Sequence, residues 1–94
     1  MRIRWTRKAQ RQLDDALEYI TEENPIAARQ VATRIYKATR LLRENPLLGR
    51  PGRVADTREW VVKDTSFLIG YIAENNELQV LALLHSKQHW PDEL

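Results

Sequence analysis

The chain has 94 residues, 43% apolar and 30% charged, with a formal net charge of +2 and no cysteine. That length supports one core and not two, so one domain over residues 1–94 is expected. The balance excludes a disordered chain, no apolar run approaches the ~18 residues that span a bilayer, and the missing cysteines exclude disulfides and thiolate zinc sites.

Arg2-Ile3-Arg4-Trp5 alternates as a strand does, at an edge or in the centre of a sheet. No apolar signal-peptide core follows it, so a cytoplasmic protein is expected. Thr6 offers an N-cap hydroxyl, and Ala9, Leu13, Ala16, Leu17 and Ile20 then recur at helical spacing, which predicts a helix over 7–23. Asn24-Pro25 is a second start signal: Asn caps well, and the missing N–H of Pro is harmless in the first turn. Ala28, Val31, Ile35, Ala38 and Leu42 carry the period to residue 44, so two helices meet at a short joint and should fold back as an antiparallel hairpin. Asn45-Pro46 ends the second helix, because proline disfavours helical geometry in the residue before it. Leu47-Leu48-Gly49-Arg50-Pro51-Gly52-Arg53 reads as an irregular loop.

Strand-like runs at Asp56–Lys63, Phe67–Ala73 and Leu78–His85 follow, joined by short polar turns that imply an antiparallel meander. The last run is almost wholly apolar, as suits a central strand covered on both faces. The expected fold is therefore α+β in the order β-α-α-β-β-β, with the helical hairpin over one face of the sheet.

Charge is sorted along the chain. Residues 1–11 carry five bases and no acid, residues 12–24 five acids and no base, and residues 25–53 seven bases against Glu44. Such a surface attracts nucleic acid or an acidic partner, unless the two signs simply pair with each other on solvated helix faces.

Alternation puts Arg58 with Trp60 and Val62 on one face of its strand, and His85 with Gln79, Leu81 and Leu83 on one face of another. Arg58 near one strand start and His85 at another strand end are expected to approach each other. An arginine fork matches phosphate oxygens, and a histidine can move a proton near neutral pH, although each has a structural alternative as an ion-pair or hydrogen-bonding residue. Arg50, Arg53 and Lys63 are candidates for phosphate contacts in a nucleic acid. Trp5, Trp60 and Trp90 read first as core or partner interface, with base stacking as the alternative. His85 and His89 lack a neighbouring carboxylate cluster, so no metal site is expected.

Several stretches together resemble the RelE/ParE superfamily of type II toxin–antitoxin toxins over nearly the whole chain. They are Trp5 with Ala9 and Leu13, Asn24-Pro25 with Ala27-Ala28, Asn45 through Gly52, Thr57-Arg58-Glu59, Tyr71, and His85 through Pro91. The resemblance implies a cytoplasmic toxin, without cofactor, metal or membrane partner, that a cognate antitoxin neutralises. Relatives of the RelE type cut mRNA on the ribosome without a metal, and those of the ParE type poison DNA gyrase. Carried over, Arg58 would stabilise the scissile phosphate and His85 would act as general acid or base, with Ser86 where that branch often has an acid–base side chain. The leading expectation is a ribosome-dependent mRNA endonuclease, with a non-enzymatic gyrase inhibitor as the alternative. In the second case the C-terminal residues 90–94 would contribute to the toxic patch. Arg29, Arg34, Lys37 and Arg40 on the helical hairpin are expected to receive an acidic antitoxin segment.

Overall fold

The computed structural model describes residues 1–85. Strand β1 (Arg2–Trp5) leads into helix α1 (Arg7–Glu23) and helix α2 (Pro25–Glu44), followed by strands β2 (Arg50–Pro51), β3 (Arg58–Val61), β4 (Phe67–Glu74) and β5 (Glu77–His85). Both helices start where the sequence predicts. The Thr6 hydroxyl accepts the Ala9 N–H at 3.1 Å, and the Asn24 side chain accepts the Ala27 N–H at 3.1 Å. Each contact satisfies a donor that the first turn leaves without a helical partner. Asn24 also ends α1, its N–H reaching the Ile20 carbonyl, so one residue closes the first helix and opens the second.

The described strands form one sheet in the order β1-β5-β4-β3-β2. The β3-β4-β5 meander is antiparallel, and β1 joins its far side parallel to β5. The turn between β4 and β5 places Asn75 and Asn76 at φ 52° and 57°, a conformation asparagine tolerates and tight hairpins require. β1 is an edge strand and β5 a central one. Strand β2, a two-residue pairing of Arg50 and Pro51 with Glu59 and Arg58, lies inside the segment expected to be irregular.

The helices cover one face of the sheet. Ala9 and Leu13 of α1 and Ile35, Ala38 and Leu42 of α2 pack with Val62, Ile69, Tyr71, Leu78, Val80 and Leu83. Each fully buried leucine or isoleucine contributes about 1.5–3 kcal/mol relative to an exposed one.

One expected alternation fails. Gly70 pairs with Ala82 but Tyr71 pairs with Val80, so Leu81 is an extra residue in β5. This bulge shifts the phase, and Leu78, Val80 and Leu83 share the core instead of Leu81 and Leu83 lying together. The bulge sits where β1 stops. Beyond the Trp5–Val80 pair, the Thr6 N–H bonds the Val80 carbonyl, the Thr6 hydroxyl donates to the Leu81 carbonyl at 3.3 Å, and the Leu83 N–H donates to Gln12 Oε1 at 2.9 Å. Side chains of α1 and its cap thus take over the edge of β5 that β1 is too short to cover.

Candidate functional site

Residues 45–52 are held against the sheet by buried polar contacts. Tyr71 is 0% exposed in the middle of β4. Its hydroxyl donates to the Pro46 carbonyl at 2.7 Å and accepts the Gly49 N–H at 2.9 Å. Burial raises the Tyr71 pKa above its ordinary 10.0, against the opposing pull of the Gly49 N–H and the Arg58 charge. The hydroxyl therefore remains a donor throughout the physiological range.

Its pH signature follows from linkage. In alkali the unfolded tyrosine loses its proton before the folded one, so the contribution of Tyr71 is complete below about pH 10 and falls as pH rises through the higher folded value. Urea denaturation of the wild type and Tyr71→Phe from pH 8 to 11 should show the stability difference between them shrinking above pH 10. A difference that stays constant across that range rules this coupling out.

Gly49 is required by close approach. A Cβ there would lie 2.6 Å from the Tyr71 hydroxyl and 2.8 Å from the Glu59 carbonyl oxygen. Next to it, Arg50 pairs with the buried Glu59 at 3.0 Å across the β2–β3 ladder. Sequence reading missed Tyr71 and Glu59 as organisers of the loop. The only signal was a carboxylate within a strand and an arginine nine residues before it.

Arg58 sits on the helix-facing side of β3, paired with Tyr71. Its guanidinium is turned onto the loop and donates to the Gly49 carbonyl at 2.8 Å and the Leu47 carbonyl at 3.4 Å. The open hollow beside it is also lined by Asp56 and Glu74, whose charges oppose the entry of a phosphate.

His85 lies elsewhere. It pairs with Phe67 at the opposite end of β4, its ring edge-on to the Phe67 ring with 5.6 Å between centroids. It faces a groove of about 640 Å³ shared with Asp15, Tyr19 and Leu83. The expected approach of Arg58 and His85 is therefore corrected. The strands β3 and β5 flank β4 on opposite sides, and run the same way, so a start on one and an end on the other lie at opposite ends of the sheet. Four residues along β4 and two strand spacings put them about 16 Å apart.

The loop arginines and Lys63 also separate. Arg50 and Arg53 belong to the loop end of β3, whereas Lys63 follows the other end of β3 and lies beside Arg34 and Lys37 of α2. Trp5 and Trp60 pack against the core cluster. His89 and residues 90–94 lie outside the described residues.

Two helices pack on one face of a five-stranded sheet, with an arginine-bearing loop tied to a buried tyrosine. Residues 3–90 match the family described as the ParE toxin of the type II toxin–antitoxin system parDE, and the chain belongs to that family. Over 93 residues it is 42% identical to Y4kP of Sinorhizobium fredii (strain NBRC 101917 / NGR234), whose name places it among toxins; the match covers 99% of this chain and 96% of that one. Among solved structures it resembles a chain of the chromosomal ParDE toxin–antitoxin system of P. aeruginosa, with a TM-score of 0.81 and 25% identity over 90% of this chain and 95% of that one. The chain is thus the toxic component of a type II system, with a cognate antitoxin as its partner. No helix among the described residues is long and apolar enough to cross a membrane.

Proposed function

We propose that this toxin acts in the cytoplasm by binding and inhibiting DNA gyrase, rather than by cutting mRNA on the ribosome. The separation of Arg58 from His85 carries this reading. A phosphate stabiliser and a proton-transfer group must both come within hydrogen-bond reach, about 2.6–3.2 Å, of atoms around one phosphodiester. Here the two residues stand at opposite ends of the sheet, and Arg58 already serves the loop carbonyls of Leu47 and Gly49. Membership of the ParE family supports the same choice over the RelE-type reading. Arg58 then acts as a positioning residue for the loop, and His85 as part of the groove beside α1.

The test pairs two measurements on one preparation. Purified toxin should inhibit gyrase supercoiling, and transcript-end mapping after induction should show no new cuts. His85→Ala should keep toxicity within about threefold, since no proton transfer depends on it, whereas a general acid–base group loses about 10²–10⁴-fold. Unimpaired gyrase together with His85-dependent mRNA cuts would overturn the proposal.

A further inference from the structure

The groove of about 640 Å³ that His85 borders runs between α1 and the end of the β4–β5 pair. Its walls are apolar: Tyr19 and Ile20 of α1, Val31 of α2, Phe67 of β4 and Leu83 of β5. Tyr19 is 72% exposed, so its ring keeps most of its surface for a partner. Two rows of α1 side chains follow helical spacing along this groove, Asp15-Tyr19-Glu22 and Ala16-Ile20-Glu23, and each ends in an exposed carboxylate. Asp15, Glu22 and Glu23 make no ion pair among the described residues, although Arg11 lies one turn before Asp15. Their placement also works against the helix. Glu22 and Glu23 occupy the last turn of α1, which holds no base, so they meet the negative end of the helix dipole, and Glu18 repels Glu22 one turn on. Acids that cost a helix stability and meet no cation in their own chain are expected where an outside cation meets them.

We infer that this groove is where the toxin grips its target, and that it receives a basic segment of gyrase. One apolar side chain of that segment seats against Tyr19, Ile20 and Phe67, and its lysine or arginine side chains meet Asp15, Glu22 and Glu23. The inference rests on the gyrase reading above and adds to it the surface used and the kind of segment bound. Carboxylates beside an apolar groove draw in cations and hold off anions, so sign selects the occupant. An acidic protein segment is repelled, and so is the phosphate backbone of a nucleic acid. A second copy, offering the bases of its α2 to this groove, would make a head-to-tail contact, which builds rings or open filaments rather than a one-to-one complex. Tyr19 supplies the anchor, since a large ring with few torsions buries much area at little entropic cost. His85 borders the groove as a minor contact, within the limit of about threefold already given for His85→Ala.

Calorimetric titration of purified gyrase with the toxin tests it, beside a titration with the cognate antitoxin. Wild-type toxin is measured first: if it does not bind gyrase, the gyrase reading falls and this inference with it, whereas binding that the variants keep overturns this inference alone. The triple variant Asp15→Lys, Glu22→Lys, Glu23→Lys should bind gyrase about 100-fold more weakly. Wild-type affinity should fall as salt rises from about 0.05 to 0.5 M, and the neutral triple Asp15→Asn, Glu22→Gln, Glu23→Gln should lose that dependence. Tyr19→Ala, with all carboxylates present, should weaken binding about 10-fold and leave the salt dependence intact. All three variants should hold the antitoxin within about twofold of wild type. The lysine triple should melt no lower than wild type, because bases in the last turn of α1 suit the helix dipole. A midpoint lower by more than about 4 °C would show that the acids are satisfied inside the chain, and overturns the inference. So does gyrase affinity within about twofold of wild type in both the lysine triple and Tyr19→Ala. Antitoxin binding lost while gyrase binding stays gives the groove to the antitoxin, and self-association in sedimentation that Tyr19→Ala abolishes gives it to a second copy; either result overturns the inference.

Discussion

Tyr71→Phe is expected to destabilise the fold by about 2–4 kcal/mol, although it removes a single oxygen atom. The Tyr71 ring would remain packed among Ile69, Val80 and the helices, so little apolar burial is lost. The loss falls on the loop. Without the hydroxyl, the buried Gly49 N–H loses its 2.9 Å acceptor and the partly buried Pro46 carbonyl loses its 2.7 Å donor. Leaving the buried N–H without a partner costs about 1–3 kcal/mol, and the Pro46 carbonyl, which water can reach, adds less. In a chain of this size each kcal/mol lowers the thermal midpoint by about 4–8 °C, so the variant should melt well below the wild type. Urea denaturation gives the energy directly, and a loss under 1 kcal/mol would show that the loop does not depend on this hydroxyl.

Gly49→Ala should be at least as damaging, at about 3–5 kcal/mol, by the opposite mechanism of crowding. The added Cβ would meet the Tyr71 hydroxyl at 2.6 Å and the Glu59 carbonyl at 2.8 Å. Neither can retreat easily, one being a buried ring and the other backbone in β3. The loop must lift instead, which takes the Gly49 carbonyl from Arg58 and disturbs the Arg50–Glu59 pair. Gly52→Ala should also be costly, because an added Cβ would meet the Thr57 hydroxyl, which is buried and held by the Val54 carbonyl, and would crowd the Thr57 backbone at 3.2 Å. A double-mutant cycle sharpens the point: Tyr71→Phe removes one of the clashing atoms, so the Gly49→Ala and Tyr71→Phe losses should sum to more than the loss in the double variant. Strict additivity would mean that the two residues do not act on the same contact.

The parts of this fold legible in the sequence are those set by neighbours along the chain. Thr6 and Asn24 announce both helix starts because a cap is a three-residue contact, and the helical period of Leu13, Ile35 and Leu42 marks the faces that are buried. The Asn75-Asn76 turn is equally local. What escaped depends on residues far apart. The bulge at Leu81 lies where β1 ends and Thr6 and Gln12 take over its edge, and a run of leucines gives no sign of that. Strand order places β4 between β3 and β5, so Arg58 and His85, each plausible alone, do not meet. The loop was recognisable from Gly49, Pro51 and Gly52, but the reason Gly49 is glycine lies 22 residues away, in Tyr71. Lys63 looked like a companion of the loop arginines, and only the end of β3 shows that it belongs with Arg34 and Lys37.

The stitching of residues 46–49 to Tyr71 also bears on how long the toxin survives. Irregular segments usually open by local fluctuation, exchange their amide protons quickly and are where proteases first cut. Here the Gly49 amide is bonded to a side chain of the central core, and opening the segment breaks that bond together with those to the Pro46 and Gly49 carbonyls. The segment most vulnerable on composition therefore opens only by breaking several hydrogen bonds at once, which makes its exposure to proteases rarer than its sequence alone suggests.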